Sequence, residues 1–112
     1  MIRRISFIKR KAGLTTDEFF ARWMGRHAEL LTQLPGLRGL RFTRIERCTP
    51  EAPGWDGLGE SWFDSLEDFD RAFATEPLRS ALLADREGCI GDSQTCYVEE
   101  PGGFTPPVGT SR

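Results

Sequence analysis

Apolar residues recur along this chain with two different periods, and the changes of period mark its elements. The segment Ile2 to Lys9 mixes Ile2, Ile5, Phe7 and Ile8 with polar residues. β-Branched and aromatic side chains dominate it, so it reads as a first strand. Ala12-Gly13 breaks it. Thr15 then stands three residues before Glu18, the spacing of a capping box, with Leu14 and Phe19 at the hydrophobic-staple positions. Pro35-Gly36 supplies a stop signal, so the spacing predicts a helix over Thr16 to Leu34. Its apolar residues are Phe19, Phe20, Trp23, Met24, Leu30, Leu31 and Leu34. At 3.6 residues per turn they share an arc of about 140°. His27, the only histidine, projects near the centre of that arc.

Leu40, Phe42 and Ile45 place a second strand over Arg38 to Arg47. Pro50, Pro53 and Gly54 mark Cys48 to Asp56 as a loop. In a third strand, Gly57 to Asp64, alternation puts Leu58, Glu60 and Trp62 on one face and Gly59, Ser61 and Phe63 on the other. Ser65 and Asp68 resemble a capping box and open a second helix striped by Leu66, Phe69, Ala72 and Phe73. Pro77 interrupts it, and a short continuation carries Leu78, Ala81 and Leu82. A loop over Gly88 to Gly91 and a fourth strand over Thr95 to Glu99 complete a domain of residues 1–100. The segment 101–112 is rich in Pro and Gly and is expected to be irregular.

The order βαββαβ is the split-βαβ pattern of an α+β, ferredoxin-like fold: a four-stranded antiparallel sheet with helices on one face. Apolar side chains fall on both alternation classes of the strands, so the second face expects a cover. The simplest cover is a second copy, giving a homodimer.

Composition narrows the function classes. The 112 residues suit one domain. Net charge is −2, and the small clusters Arg3-Arg4 and Lys9-Arg10-Lys11 flank the first strand without a wider basic field, which argues against nucleic acid. Cys48, Cys89 and Cys96 have no metal-ligand or disulfide spacing. One histidine per chain argues against a metal site, and the glycines lack nucleotide-loop spacing. No apolar run approaches membrane-spanning length, and no signal-peptide core follows Met1, so a cytoplasmic setting is expected.

The run Lys9-Arg10-Lys11-Ala12-Gly13-Leu14-Thr15-Thr16-Asp17-Glu18-Phe19 resembles the opening of the EthD family. The likeness continues through Trp23, His27-Ala28 and Leu34-Pro35-Gly36-Leu37. It resumes at Asp56-Gly57 and Glu60-Ser61-Trp62-Phe63-Asp64-Ser65, with a fainter match at Ile90-Gly91-Asp92. The chain departs from the pattern at Ala12, where proline is usual, and after Gly39, where no aromatic follows. The resemblance covers about residues 2 to 100. It implies a dimeric α/β barrel made of two facing ferredoxin-like sheets, without metal or organic cofactor. Polyketide-tailoring dehydratases and cyclases are relatives, and lactone isomerases of aromatic catabolism resemble the family. Many members have no established activity, so the family does not fix a reaction.

His27 is the leading candidate for chemistry, as a general acid or base facing a cavity. The alternative is a core histidine bonded to a neighbouring carbonyl. Glu60 is a second catalytic candidate: it orients His27 or pairs with a buried arginine, or it lies on a solvated or dimer-contacting face. Phe7, Trp23, Leu31, Phe42 and Trp62 are candidate substrate-binding walls, or plain core. Asp92 either closes the pocket mouth or is a turn residue. Cys96 lacks a partner that would make it a nucleophile. The expected function is cofactor-free proton transfer on a hydrophobic, aromatic or polyketide-like small molecule, by dehydration, cyclisation or isomerisation. A non-catalytic dimeric binding protein and a cofactor-independent oxygenase are the competing readings.

Overall fold

The computed structural model describes residues 1–100, and the expectation for the Pro- and Gly-rich segment 101–112 lies outside the described residues. The elements are β1 (Ile2–Arg10), α1 (Thr16–Arg22), a π-helical turn (Trp23–His27), α2 (Ala28–Leu31), β2 (Gly39–Arg44), β3 (Gly57–Phe63), α3 (Leu66–Phe73), α4 (Leu78–Cys89) and β4 (Ile90–Glu99). The strands form one antiparallel sheet in the order β2-β3-β1-β4. This is the ferredoxin-like α+β arrangement.

Register sorts the side chains between two faces. Ser6 lies opposite Gly59 and Thr95, and Gly59 opposite Phe42. This inner face meets the helices: Phe42 touches Trp23, and Phe63 packs edge-on to Phe69. Ile5 lies opposite Glu60 and Cys96, and Glu60 opposite Arg41. They belong to the outer face, turned away from the helices.

The first helix begins as its sequence dictates. The Glu18 amide donates to the Thr15 hydroxyl at 3.1 Å, and the Thr15 amide donates to the Glu18 carboxylate at 2.8 Å. The helix then widens. The Ala28 amide reaches the Trp23 carbonyl five residues back, the signature of a π-turn. The wide turn buries Trp23 and His27 together. Trp23 stacks on Phe19 at 5.4 Å between centroids and meets the edge of Phe42 at 4.7 Å. Such pairs contribute roughly 0.5–1.5 kcal/mol beyond their burial. Gly57 is required here, because a Cβ at that position would lie 2.5 Å from the Trp23 ring.

Several boundaries differ from those the sequence predicts, among them the end of the second strand, at Arg44 rather than Arg47. The first helix ends at Leu31 rather than Leu34, and turns carry the chain to Leu37. The short continuation after Pro77 is a twelve-residue helix, α4. Its inward positions are Leu78, Leu82, Asp85 and Cys89, so a carboxylate stands where apolar periodicity would continue. The fourth strand starts at Ile90 instead of Thr95. Ile90-Gly91-Asp92 has weak strand propensity, but pairing with Arg10 and Lys9 holds it in the sheet across a register shift.

Candidate active site

Between the inner face of the sheet and the helices lies a cavity of about 260 Å³. Ser6 and Ile8 of β1, Leu40 and Phe42 of β2, and Gly59 and Ser61 of β3 form its floor. Trp23, His27 and Leu31 close it from the first helix, and Leu82 from α4. Most of this wall is apolar, as in small-molecule pockets generally.

His27 Nδ1 lies 3.0 Å from a carboxylate oxygen of Asp85. Both residues are buried. The pairing needs the π-turn on one side and the inward stripe of α4 on the other. Asp85 is held in turn by Arg22, whose guanidinium donates to its second oxygen at 3.3 and 3.4 Å. Gly88 makes room for that arginine and accepts from it at 3.4 Å through its carbonyl. Burial pushes the His27 pKa below the usual imidazole value, and the bond to Asp85 opposes the shift only in part. Near neutral pH the ring is therefore uncharged. It donates from Nδ1 to the carboxylate and keeps its lone pair on Nε2. Nε2 has no hydrogen-bond partner among the described residues. The arrangement is a neutral base whose tautomer is set by a buried acid. Cys89 is one helical turn from Asp85, but burial first, and then the Asp85 charge, push its thiol up to about 11. It stays protonated and unreactive.

Further polar groups of the cavity are Ser61, Arg79 and Arg86, which the sequence does not single out, and Arg4 of the Arg3-Arg4 cluster. Ser61 is buried, and its hydroxyl has no hydrogen-bond partner among the described residues. Arg4 lies over the rings of Phe69 and Phe73, at 5.6 and 5.3 Å from their centroids. Arg86 donates to the Ser93 hydroxyl at 2.5 Å. Arg79 donates to the Phe73 carbonyl at 3.4 Å.

Of the residues expected at a site, His27, Trp23, Leu31 and Phe42 are brought together around this cavity. Glu60 borders it too, but does not orient His27. The Glu60 carboxylate is taken up by Arg3 at 3.0 Å and Arg41 at 3.8 Å. The orienting acid is Asp85 instead. Phe7 and Trp62 belong to the outer face and do not wall the cavity. Phe7 packs against Trp55, and Trp62 is buried with the Arg41 guanidinium 5.9 Å from its ring. The physical reason is alternation: the faces of Leu58, Glu60 and Trp62 and of Gly59, Ser61 and Phe63 are correctly separated, but the second set faces the helices. Asp92 is exposed within β4 and caps the amide of Ser93, so it sits on a strand and not at the cavity mouth. Cys96 is exposed on the outer face. No cluster of three or more metal-ligating side chains occurs among the described residues. No helix among them is long and apolar enough to cross a membrane.

Asp85 was findable in principle. Its spacing from Leu78, Leu82 and Cys89 is helical, and a carboxylate on such a stripe demands a partner.

The structure is similar to several solved ones, all below the identity at which more than the fold follows. An EthD (ethyl tert-butyl ether degradation) family protein from Bacillus halodurans aligns with a TM-score of 0.74 at 22% identity, covering 90% of this chain and 99% of that one. A hydroxynitrile lyase from Passiflora edulis aligns with a TM-score of 0.67 at 19% identity, covering 92% and 95%. A dimeric ferredoxin-like protein of unknown function from Bacteroides fragilis aligns with a TM-score of 0.64 at 18% identity, covering 88% and 95%. No curated protein sequence matches the chain. The EthD domain model matches residues 11–93, a span that includes the Thr15 cap, the His27 turn and Asp85, and the chain belongs to the EthD family.

Proposed function

We propose that this protein is a cofactor-free enzyme that moves a proton at His27 on a small hydrophobic substrate, aromatic or polyketide-like in character. The observation that carries the reading is the buried His27–Asp85 pair at 3.0 Å, set in the wall of an apolar cavity. Nε2 accepts a proton from a carbon beside a carbonyl, and the C–H electron pair moves into an enolate. The imidazolium then returns that proton. Delivered to a departing hydroxyl it gives dehydration, and delivered to another carbon it gives isomerisation. Ring closure by attack of the enolate on a second carbonyl gives cyclisation. Asp85 steadies the imidazolium in each case. A fold that carries a hydroxynitrile lyase in Passiflora edulis is compatible with lyase chemistry.

Deuterium incorporation from D2O, beside the carbonyl of bicyclic ketones with and without a carboxylate, tests the reading. General-base catalysis of this kind is typically worth on the order of 10²–10⁴ in rate. Exchange with the wild type should exceed that with His27→Gln and His27→Ala by that margin. Equal exchange in all three proteins would overturn the reading. Absence of exchange with every ketone, despite binding, would favour a carrier of apolar ligands.

A homodimer belongs to the same proposal. Half-buried Ile5, Phe7, Leu58 and Val98 put apolar surface on the outer face, and the similar protein from Bacteroides fragilis is dimeric. Sedimentation equilibrium at micromolar concentration should give twice the chain mass. A stable monomer contradicts the dimer.

A further inference from the structure

The cavity concentrates positive charge that no carboxylate neutralises at contact distance among the described residues. Three arginines, Arg4, Arg79 and Arg86, line it. None has a carboxylate within 4.0 Å among the described residues, whereas Arg3, Arg10, Arg22 and Arg41 each have one. The one acid bordering the cavity, Glu60, is held by Arg3 and Arg41. Arg86 spends a single donor on Ser93, and Arg79 a single donor on a backbone carbonyl. The Arg4 guanidinium is hydrogen-bonded to the Tyr97 side chain, but its buried Nε has no partner among the described residues. A guanidinium carries five donors, so these groups are largely unsatisfied. Arg4 is also close enough to Arg86 for the two charges to act against each other, which, after burial, lowers the Arg4 pKa. Both charges also disfavour a cationic His27. Holding like charges together beside an apolar wall is unfavourable unless an anion arrives.

We propose that the substrate is a carboxylic acid, bound as its carboxylate by Arg4 and Arg86, with Arg79 at the entrance drawing it in. This rests on the cavity being the substrate site, but not on His27 being the base. Arginine suits the task because its planar fork matches a carboxylate with two parallel hydrogen bonds. The apolar body of the acid lies against Trp23, Phe42 and Leu82, which line the same space. The Ser61 hydroxyl, buried and unpartnered on the floor, is free to bond to a second oxygen of the ligand, such as the carbonyl beside the reacting carbon. The volume of 260 Å³ lies just under the usual range of about 300–1,000 Å³ for ligand pockets. It selects a compact ring acid over an extended chain. A carboxylate fits better than a phosphate dianion, because the wall supplies few donors beyond these guanidinium groups.

Isothermal titration with 2-naphthoate and with its neutral isostere 2-naphthamide is the test. The wild type should bind the acid at least 10-fold more tightly than the amide. Arg86→Gln should erase most of that preference while leaving amide affinity unchanged, which also shows that the variant folds. Arg86→Lys should restore part of it. Arg4→Gln should act like Arg86→Gln, and Arg79→Gln should mainly slow association. His27→Gln should keep the preference intact. Equal affinity of the wild type for acid and amide, binding of neither, or a preference that survives in Arg4→Gln/Arg86→Gln would overturn the proposal. The proton-transfer reading would stand untouched by that failure, since it is also read by exchange on the ketones that lack a carboxylate. Loss of exchange dependence on His27 would in turn leave the binding preference intact.

Discussion

The two faces of the sheet each bury one carboxylate, and they treat it in opposite ways. On the outer face Glu60 is clamped between Arg3 and Arg41. On the inner side Asp85 takes one arginine, Arg22, and turns its other oxygen to His27. Both acids are comparably shielded, at 7% and 8% exposure, so burial does not separate them. The partners do. An arginine stays charged at any ordinary pH, so neither of the two that hold Glu60 can take up or return a proton. A histidine changes state near neutrality, so the second pair keeps a group that can take and return a proton. The inner pair also borders a cavity in which the Ser61 hydroxyl and the Nε of Arg4 still lack partners among the described residues. A buried acid alone is thus a weak pointer to chemistry, and a buried acid sharing its charge with an imidazole beside unsatisfied donors is a stronger one.

Substituting each acid by its amide breaks this comparison most directly. Asp85→Asn gives His27 Nδ1 a side chain that can donate as well as accept, which permits the wrong tautomer. In a histidine–carboxylate pair of this kind the loss of rate reaches roughly 10²–10⁴-fold. Deuterium exchange should fall by that order, and its pH profile should move to lower pH because a group that raises the His27 pKa is gone. Asp85→Glu should restore part of the rate. A protein damaged only in structure would not show the displaced profile. Glu60→Gln should leave exchange within about twofold and act on stability instead. It removes the charged acceptor of Arg3 and Arg41, each partly solvated, for a cost of about 1–3 kcal/mol read in chemical unfolding. If Glu60→Gln lowers exchange as far as Asp85→Asn does, the division of labour between the faces is wrong.

The outer and inner faces also differ in how far the sequence discloses them. The βαββαβ order follows from periodicity, and the Thr15–Glu18 cap forms as its spacing requires. His27 is visible as the one polar residue centred in an apolar arc. Its partner is hidden for two physical reasons. Apolar periodicity after Pro77 breaks at Asp85 itself, since a buried carboxylate replaces the residue that would have extended the stripe. The π-turn accompanies close packing of Trp23 over Gly57, a long-range contact that no local propensity encodes. Alternation separates Glu60 from Ser61 correctly, but only the register against β1 and the helices shows which of them faces the cavity. Glu60 therefore looks like a partner for His27 in the sequence, and Ser61 looks like nothing.

The smallest effect concerns the pH dependence of stability, and it separates a buried neutral histidine from a charged one. In the unfolded chain the His27 imidazole titrates near 6.5, and in the folded protein burial holds it lower. Between those two values the unfolded chain binds a proton that the folded protein refuses. Stability therefore falls as pH drops through that window, and the contribution levels off once pH is below the folded value. His27→Gln has no such term. Between about pH 7.5 and about pH 5.5 the melting temperature of the wild type should fall further than that of His27→Gln, with background carboxylates common to both. In Asp85→Asn the window should widen, because the hydrogen bond that opposes the shift is lost. A wild type that gains stability relative to His27→Gln on acidification would mean that the ring is charged in the fold. His27 and Asp85 would then form an ion pair like that of Glu60 with its arginines, and the contrast between the faces would disappear.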